Sequence, residues 1–253
     1  MMMTKLQPYR ILYLLAFLLV LTSCDSGDIV ENDTEQESNG YTVRMNAIVS
    51  GMAALSDKYT LALATFKAND NYALTVYSIP STSADKAEVS IVASNITGDV
   101  STVELVVTNR LRQRVISLAS INMADYAAAT DTIRMNVGTV EVGMTGIIQR
   151  HVFNASCIQC HGGNGGNGAA DLNLTEGHAL ANLKDVASTR KEGTFRIVSG
   201  NAGQSLLHRI LAEGGEDILH YNHTEVLTSQ FKNDAPAVRT FIDDWINSMK
   251  KDE

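Results

Sequence analysis

Three residues within a five-residue segment, Cys157, Cys160 and His161, have side chains that could hold a redox cofactor. In the pattern CxxCH, two thiols can each add to one vinyl group of a haem, and the histidine that follows reaches the iron as an axial ligand. We therefore predict one haem c, attached covalently through Cys157 and Cys160, with His161 as the proximal ligand of the iron.

Three other uses of the cysteine pair fit the sequence less well. A structural zinc site needs four ligands, commonly with a second pair of cysteines or histidines, and no cysteine follows Cys160. A thioredoxin-like redox pair lies beside a βαβ unit, whereas helical patterns and a glycine-rich stretch surround this pair. A disulfide between residues three positions apart would be strained. The sequence favours haem over all three.

The segment around the motif has the periodicity of helices. Apolar residues occur at helical spacing just before Cys157, and Thr175 and Asn201 stand at typical starts of two further helices. The last helix has the clearest pattern, with one apolar stripe that begins just after Pro236. The stripe consists of Val238, Phe241, Ile242, Trp245, Ile246 and Met249. We expect residues 144–253 to form an all-α domain.

Residues 41–143 have the alternating pattern of strands. In segment 41–47, apolar side chains alternate with polar ones, which is the period of a half-buried strand. Further runs of this kind, separated by turn residues, cover 59–68, 72–79, 87–93, 102–108, 114–121 and 132–142. Seven short strands in about 100 residues predict an antiparallel sandwich of immunoglobulin-like type, which we interpret as a spacer or interaction module. Its basic cluster of Arg110, Arg112 and Arg114 is expected on a solvated strand edge, with a patch for a partner as the alternative.

The first 24 residues have the layout of an exported lipoprotein precursor. Lys5 and Arg10 precede an apolar run from Ile11 to Leu21 that is short for a bilayer span, and the run ends in a segment up to Cys24 that resembles a bacterial lipobox. We expect a signal peptide over residues 1–23, cleavage before Cys24, and lipidation of that cysteine, which would anchor the protein to a membrane. An uncleaved anchor helix or an ordinary secretory signal is the alternative.

Residues 24–40 are predicted to form an acidic linker behind the lipidated cysteine. They contain six acidic side chains and no basic one, so they cannot bury enough apolar surface to fold. Such a stretch resembles the export signal of some surface lipoproteins, which favours the outer membrane or the cell surface over the inner membrane; a plain solvated linker is the alternative. The whole chain has a formal charge of −8, which argues against a nucleic-acid partner.

Three segments of the second half resemble a known family. Cys157–His161, Gly200–His208 and Phe241–Ile246 are similar to the planctomycete-type single-haem cytochrome c domain. The resemblance implies a class-I-like all-α fold, a covalent haem c, and a sixth iron ligand on the loop before the last helix. The fold class that we predict is therefore a multidomain protein, with an all-β antiparallel sandwich (41–143) followed by an all-α cytochrome c domain (144–253).

The chain departs from that family at the sixth iron ligand. The family usually has a methionine on this loop, but no methionine occurs between His161 and Met249. The loop instead contains His220 and His223, and the spacing from Ser205 slightly favours His220. We predict a bis-histidine haem in which His161 is the proximal ligand and either His220 or His223 is the distal ligand.

The predicted pair of histidine ligands bears on function. A second imidazole favours Fe(III) and leaves no open position on the iron. We expect a membrane-anchored, extracytoplasmic electron-transfer protein that exchanges electrons with an unidentified redox protein, rather than an enzyme. Two alternatives stay open. One is a haem-based sensor or enzyme whose distal histidine dissociates to admit a small ligand, and the other is a non-catalytic binding lipoprotein.

Overall fold

A computed structural model describes residues 40–162, 168–214 and 221–251 of the protein. The predicted signal peptide, Cys24, the acidic linker as far as residue 39, and His220 lie outside these ranges. Within them, no helix combines the length and the apolar character that a membrane crossing requires.

Seven strands in the first half of the chain form two sheets. They are β1 (Tyr41–Ser50), β2 (Tyr59–Phe66), β3 (Thr75–Ser78), β4 (Lys86–Ile96), β5 (Thr102–Asn109), β6 (Arg114–Asn122) and β7 (Ile133–Glu141). In the three-stranded sheet, β1 lies between β4, which is antiparallel to it, and β7, which is parallel to it. The four-stranded sheet is antiparallel and has the order β3-β2-β5-β6.

Alternation along the strands explains which faces are buried. Every second side chain of β1 from Val43 to Val49 is buried in a core to which both sheets contribute. The central strands β2 and β5 of the four-stranded sheet are buried on both faces, and their second face holds Ala64, Phe66 and Val106. Apolar residues therefore occur on both faces of β2 and β5, although Thr65 and Glu104 are buried among them.

The strand order corrects the predicted immunoglobulin-like topology. In that topology strands A, B, E and D share one sheet and C, F and G share the other, whereas here β4, β1 and β7 share one sheet. The pairing of β1 with β7 is parallel, so the two sheets are not purely antiparallel. The prediction was wrong because alternation determines which face of a strand is buried and does not determine which strands pair.

The second half contains short helices joined by extended segments. The helices are α1 (Met144–Ile148), a π-helix (Gln149–Cys157), α2 (Ile158–His161), α3 (Ala179–Leu183), α4 (Leu206–Glu213), α5 (Thr224–Phe231) and α6 (Ala235–Ser248). Short 3-10 turns occur at Met52–Ala54, Met123–Tyr126, Ala169–Asp171, Ala202–Gln204 and Lys232–Asp234. Among these described elements, α6 is the longest helix, with 14 residues.

Residues 184–205 overturn the prediction that the second half is all-α. Extended backbone pairs in isolated β-bridges between Lys184 and Ile197, Ala187 and Phe195, and Phe195 and Ser205. Asp185, Gly193 and Gly200 have positive φ angles, which turn the chain between these extended pieces. The fold is therefore a mixture of two β-sheets and short helices, and the predicted all-α cytochrome c domain is wrong.

The described residues, from Gly40 onward, form one compact unit in which the sheets and helices share a core. Tyr59 of β2 packs edge-on against Phe241 of α6, with 4.8 Å between ring centres. The Tyr59 hydroxyl donates to Asp244 Oδ2 at 2.7 Å, and burial, reinforced by this carboxylate, raises the pKa of the hydroxyl. Trp245 Nε1 donates to Thr145 Oγ1 at 2.9 Å. Through these contacts α6 connects β2 with α1.

Arg114 of β6 lies in a cluster of charges, which differs from the solvated edge expected for it. Its guanidinium donates to the two carboxylate oxygens of Glu104 at 2.9 and 2.8 Å, and to Asp234 Oδ2 at 3.3 Å. It also lies 3.9 Å from the ring centre of Phe66. The other oxygen of Asp234 is buried without a hydrogen-bond partner among the described residues, and burial raises the pKa of this carboxyl group.

Candidate functional site

The CxxCH motif lies at the end of the π-helix and in the short α2 that follows it. The π-helical geometry continues to the junction, where Ile158 N–H donates to the carbonyl of Phe153, five residues earlier. Cys160 and His161 follow Cys157 by three and four residues on a continuous helical segment, so the three side chains lie on one face. Stretches of π-helix frequently mark functional sites.

The two thiols are free and differ in exposure. Cys157 is half-buried against the core, Cys160 is exposed, and no disulfide joins them in the structure as described. Burial, and to a smaller extent Cys160, raises the pKa of the Cys157 thiol to about 12. A thiol with that pKa is protonated at neutral pH and is a poor nucleophile, which disfavours dithiol redox catalysis by this pair.

Backbone groups hold His161 in one tautomer and one position. Its Nδ1 lies 2.8 Å from the carbonyl oxygen of Ala169, so this nitrogen carries the proton and donates. Its own carbonyl accepts from Leu174 N–H at 2.7 Å. Nε2 is left with its lone pair, as in metal-binding histidines whose other nitrogen is held by the protein. Burial lowers the pKa of His161 and thereby favours the neutral ring that can act as a ligand.

The buried side chain of Arg196 stabilises the loop that contains Ala169, whose carbonyl accepts from His161. Arg196 is 8% exposed, and its guanidinium donates to three backbone carbonyls, including those of Ala170 at 2.9 Å and Asp171 at 3.0 Å. Ala170 and Asp171 have φ angles of 61° and 52°, which are uncommon for residues with a Cβ atom. Arg196 therefore stabilises the loop conformation that presents Ala169 to His161.

Gly168 allows the same loop to pass close to the motif. A Cβ atom at this position would lie 2.7 Å from Cα of His161 and 2.9 Å from the carbonyl oxygen of Cys160. Those distances are shorter than any van der Waals contact in a packed interior. A larger residue would push the loop, and with it the Ala169 carbonyl, away from His161.

His223 lies close to His161. The two ring centres are 6.4 Å apart, and the ring planes are inclined by 23°. Nδ1 of His223 lies 3.1 Å from the carbonyl oxygen of Tyr221, so it donates to the backbone and leaves Nε2 with a lone pair. The N–H group of His223 donates to the carbonyl of Gly214 at 2.9 Å, which ties the start of α5 to the end of α4.

This donor set fits a haem iron. His161 and His223, whose ring centres are 6.4 Å apart, would bind the iron through their imidazoles. The thiols of Cys157 and Cys160, on the helical face of His161, have the chemistry needed for covalent attachment.

Of the two predicted distal ligands, the structure brings His223 close to His161. The other, His220, lies outside the described residues. The predicted lipidation site, Cys24, also lies outside them. Three further histidines have other surroundings. His208 pairs with Asp243 at 2.8 Å, His178 lies 3.3 Å from Thr175 Oγ1, and His151 lines a cavity beside β6 and β7.

Sequence reasoning missed the residues that position the motif. Gly168 and the Ala169 carbonyl act through backbone contacts, which leave no pattern in the side-chain types. A weak signal exists for Arg196, which is a lone charge between the apolar residues Phe195 and Ile197 and is therefore a candidate for a buried, hydrogen-bonded group.

Neither a cluster of metal ligands nor a similarity to known proteins gives further information about this site. Within the described ranges, no three His, Cys, Asp or Glu side chains form a group that could hold a metal ion by themselves. Comparisons with protein-family models, with curated proteins and with solved structures give no match for this chain. The function is therefore inferred from the geometry of the site.

Proposed function

We propose that the protein transfers electrons through one haem c, attached by Cys157 and Cys160 and bound axially by His161 and His223. The observation that carries this proposal is the pairing of the two histidines, whose ring centres are 6.4 Å apart and whose Nδ1 atoms are both held by backbone carbonyls. Two imidazoles oriented by the backbone and close to each other, one of them directly after the cysteine pair, are the side chains that the proposed ligation requires.

The residues of the site favour electron transfer over catalysis. When bound, the haem supplies a one-electron carrier. Two imidazoles use both axial positions, so none is left for peroxide or another small substrate. Imidazole donates more strongly than the thioether of methionine, which stabilises Fe(III) and lowers the potential. Cys160 is exposed and Tyr221 is 55% exposed, so one side of the site is open to a partner protein.

We further infer that the protein is exported and held at a membrane by lipid on Cys24, with the outer membrane or the cell surface as the favoured location. The support is in the sequence: a basic start, a short apolar run, the lipobox-like end and the acidic stretch behind it. Its redox partner is then a protein of the same extracytoplasmic compartment.

Covalent attachment is the decisive test. The full chain is produced in a bacterial host that carries the haem-attachment machinery, and a denaturing gel is stained for haem. We expect a stained band at the mass of the protein and no stain in the double variant Cys157→Ala/Cys160→Ala. Cys24→Ala is the matched control, since it removes the third cysteine and should keep the stain. An unstained wild-type band, or a stain that persists in the double variant, would contradict the proposal.

The axial ligands are tested on the same purified protein. Absorption and electron paramagnetic resonance spectra of the oxidised form should show six-coordinate, low-spin iron, and the reduced form should react with carbon monoxide slowly or not at all. High-spin iron, or rapid binding of carbon monoxide, would reveal an open axial position and support the sensor or enzyme alternative instead.

A further inference from the structure

A cavity of about 460 Å³ lies beside β6 and β7, which are edge strands of the two sheets. β6 is the last strand of the four-stranded sheet and β7 is the last strand of the three-stranded sheet, and residues of both line the cavity. Arg150 and His151, from the start of the π-helix, line it as well. A volume of this size is within the range of small-molecule sites.

The ionisable residues that line this cavity are basic or neutral. They are Arg134, Arg150, His151 and Tyr126, and no aspartate or glutamate is among the lining residues. Both arginines are exposed, and neither forms an ion pair or a side-chain hydrogen bond with another described residue. Burial, followed by the charge of Arg150, lowers the pKa of His151, so the positive charge of the cavity belongs to the two guanidinium groups.

Two exposed guanidinium groups that line one cavity without an acidic neighbour favour an anionic ligand there, in a chain whose formal charge is −8. Arginine binds carboxylate and phosphate oxygens through pairs of charge-assisted hydrogen bonds. Ser120, Asn136 and Thr139 add neutral hydrogen-bonding groups to the lining, and Leu118 and Val137 add apolar surface. This combination matches a small organic molecule with acidic groups and a short apolar portion.

We propose that the cavity beside β6 and β7 binds a small organic anion with carboxylate or phosphate groups, held by Arg134 and Arg150. This site differs from the one around His161, although the π-helix contributes to both. The proposal does not depend on haem binding, and the two can succeed or fail separately.

Isothermal titration calorimetry of the full chain, at constant ionic strength, tests the proposal with defined probes. The probes are succinate for carboxylates, phenyl phosphate for phosphates, and succinamide as a neutral analogue. We expect at least one anion to bind with a dissociation constant at or below about 1 mM, and succinamide to bind at least about tenfold more weakly. Which anion binds better identifies the acidic group that the site prefers.

Two variants assign the binding to the cavity. Arg134→Gln/Arg150→Gln should weaken binding of the anion by at least about tenfold, while Arg110→Gln, at an exposed arginine outside the cavity lining, should change it less than about twofold. If the double variant does not fold, the thermal midpoint of the wild type is compared in succinate and in sodium chloride of equal ionic strength, and succinate should raise it. Equal affinity in the double variant, equal binding of succinamide, or no binding and no stabilisation by either anion would overturn the proposal.

Discussion

Backbone carbonyls, rather than carboxylates, hold the two histidines of the site. Ala169 accepts from His161 Nδ1 at 2.8 Å, and Tyr221 accepts from His223 Nδ1 at 3.1 Å. A carbonyl orients an imidazole without the negative charge that a carboxylate partner would add to the pair. The backbone therefore orients both rings.

Replacement of His223 tests the second ligand directly. His223→Ala removes one of the two imidazoles, so we expect the iron of the proposed haem to change from low-spin to high-spin and the reduced protein to bind carbon monoxide. The covalent haem stain should persist, because Cys157 and Cys160 are unchanged. Absorption and electron paramagnetic resonance spectra measure the change.

Two other histidine variants are controls for this result. His178→Ala, which changes an exposed residue beside Thr175, should keep the low-spin spectrum. His220→Ala should keep it as well. If His220→Ala loses the low-spin signal while His223→Ala retains it, the distal ligand is His220, as the spacing in the sequence slightly favours.

Arg196 is expected to contribute strongly to stability. Arg196→Met keeps much of the side-chain length but leaves three backbone carbonyls without their donor, so we expect the free energy of unfolding to fall by about 3 kcal/mol. Urea denaturation followed by circular dichroism measures the loss. Arg190→Met, at an exposed position nearby, should change stability by less than about 0.5 kcal/mol. A similarly small effect at position 196 would refute this role of the guanidinium.

At the scale of elements, the cluster around Arg114 connects the four-stranded sheet to the last helix. Arg114 lies on β6 and Asp234 immediately precedes α6, and the two side chains meet at 3.3 Å. Glu104 takes two hydrogen bonds from the same guanidinium, so Asp234 is the weaker partner and keeps one buried oxygen unsatisfied. Asp234 therefore connects β6 with α6, but the removal of its carboxylate from water lowers the stability of the folded state.

That cost should appear as a dependence of stability on pH. Burial raises the pKa of Asp234 above its ordinary value of 3.8, so the unfolded chain ionises this group at a lower pH than the folded protein does. The folded state therefore loses stability as the pH rises from the ordinary pKa through the raised one. Asp234→Asn removes this titration, and we expect the variant to be more stable than the wild type at neutral pH by about 1 kcal/mol.

Urea denaturation at a series of pH values measures this difference. The advantage of Asp234→Asn should vanish below pH 3.8, where Asp234 is protonated in both states. Asp131→Asn, which changes an exposed acid, should alter stability by less than about 0.5 kcal/mol throughout. A variant that is less stable than the wild type at neutral pH would mean that the attraction of Arg114 exceeds the desolvation cost.

Local patterns account for the part of the structure that could be predicted. Alternation is a property of neighbouring residues, and the seven apolar runs overlap β1 to β7. The pairing of β1 with β7 joins residues such as Asn46 and Asn136, which are 90 positions apart, and no local pattern encodes it. In the same way, the CxxCH motif can be recognised from five consecutive residues. The approach of His223 to His161 depends instead on how α4, α5 and the π-helix pack, which no local pattern predicts.

At the scale of the whole molecule, the shared core predicts that the sheets and helices unfold together. Trp245, the single tryptophan, lies in α6, packs edge-on against Phe153 and donates to Thr145. Its fluorescence reports on the helices, whereas far-ultraviolet circular dichroism also reports on the sheets. We expect the two urea transitions to have the same midpoint. Separate midpoints would show that the helical part unfolds independently.

The proposed anchor is a property of the whole molecule as well. Cys24→Ala removes the acceptor for lipid, so we expect the protein to move from the membrane fraction to the soluble extracytoplasmic fraction. Immunoblots of the separated fractions measure the shift, and covalent haem should be retained in both. Continued membrane association of Cys24→Ala would favour an uncleaved anchor helix over lipidation.

The parallel pairing of β1 with β7 also bears on the order in which the protein folds. The side chains of Asn46 and Asn136, on these two strands, are hydrogen-bonded at 3.1 Å across 90 residues of sequence. Closure of so long a loop slows folding, so we expect the three-stranded sheet to complete late. The CxxCH segment follows β7 closely in the chain. If the chain carries the proposed haem c, slow closure of the sheet would give a haem-attaching enzyme time to reach the thiols before the core covers Cys157.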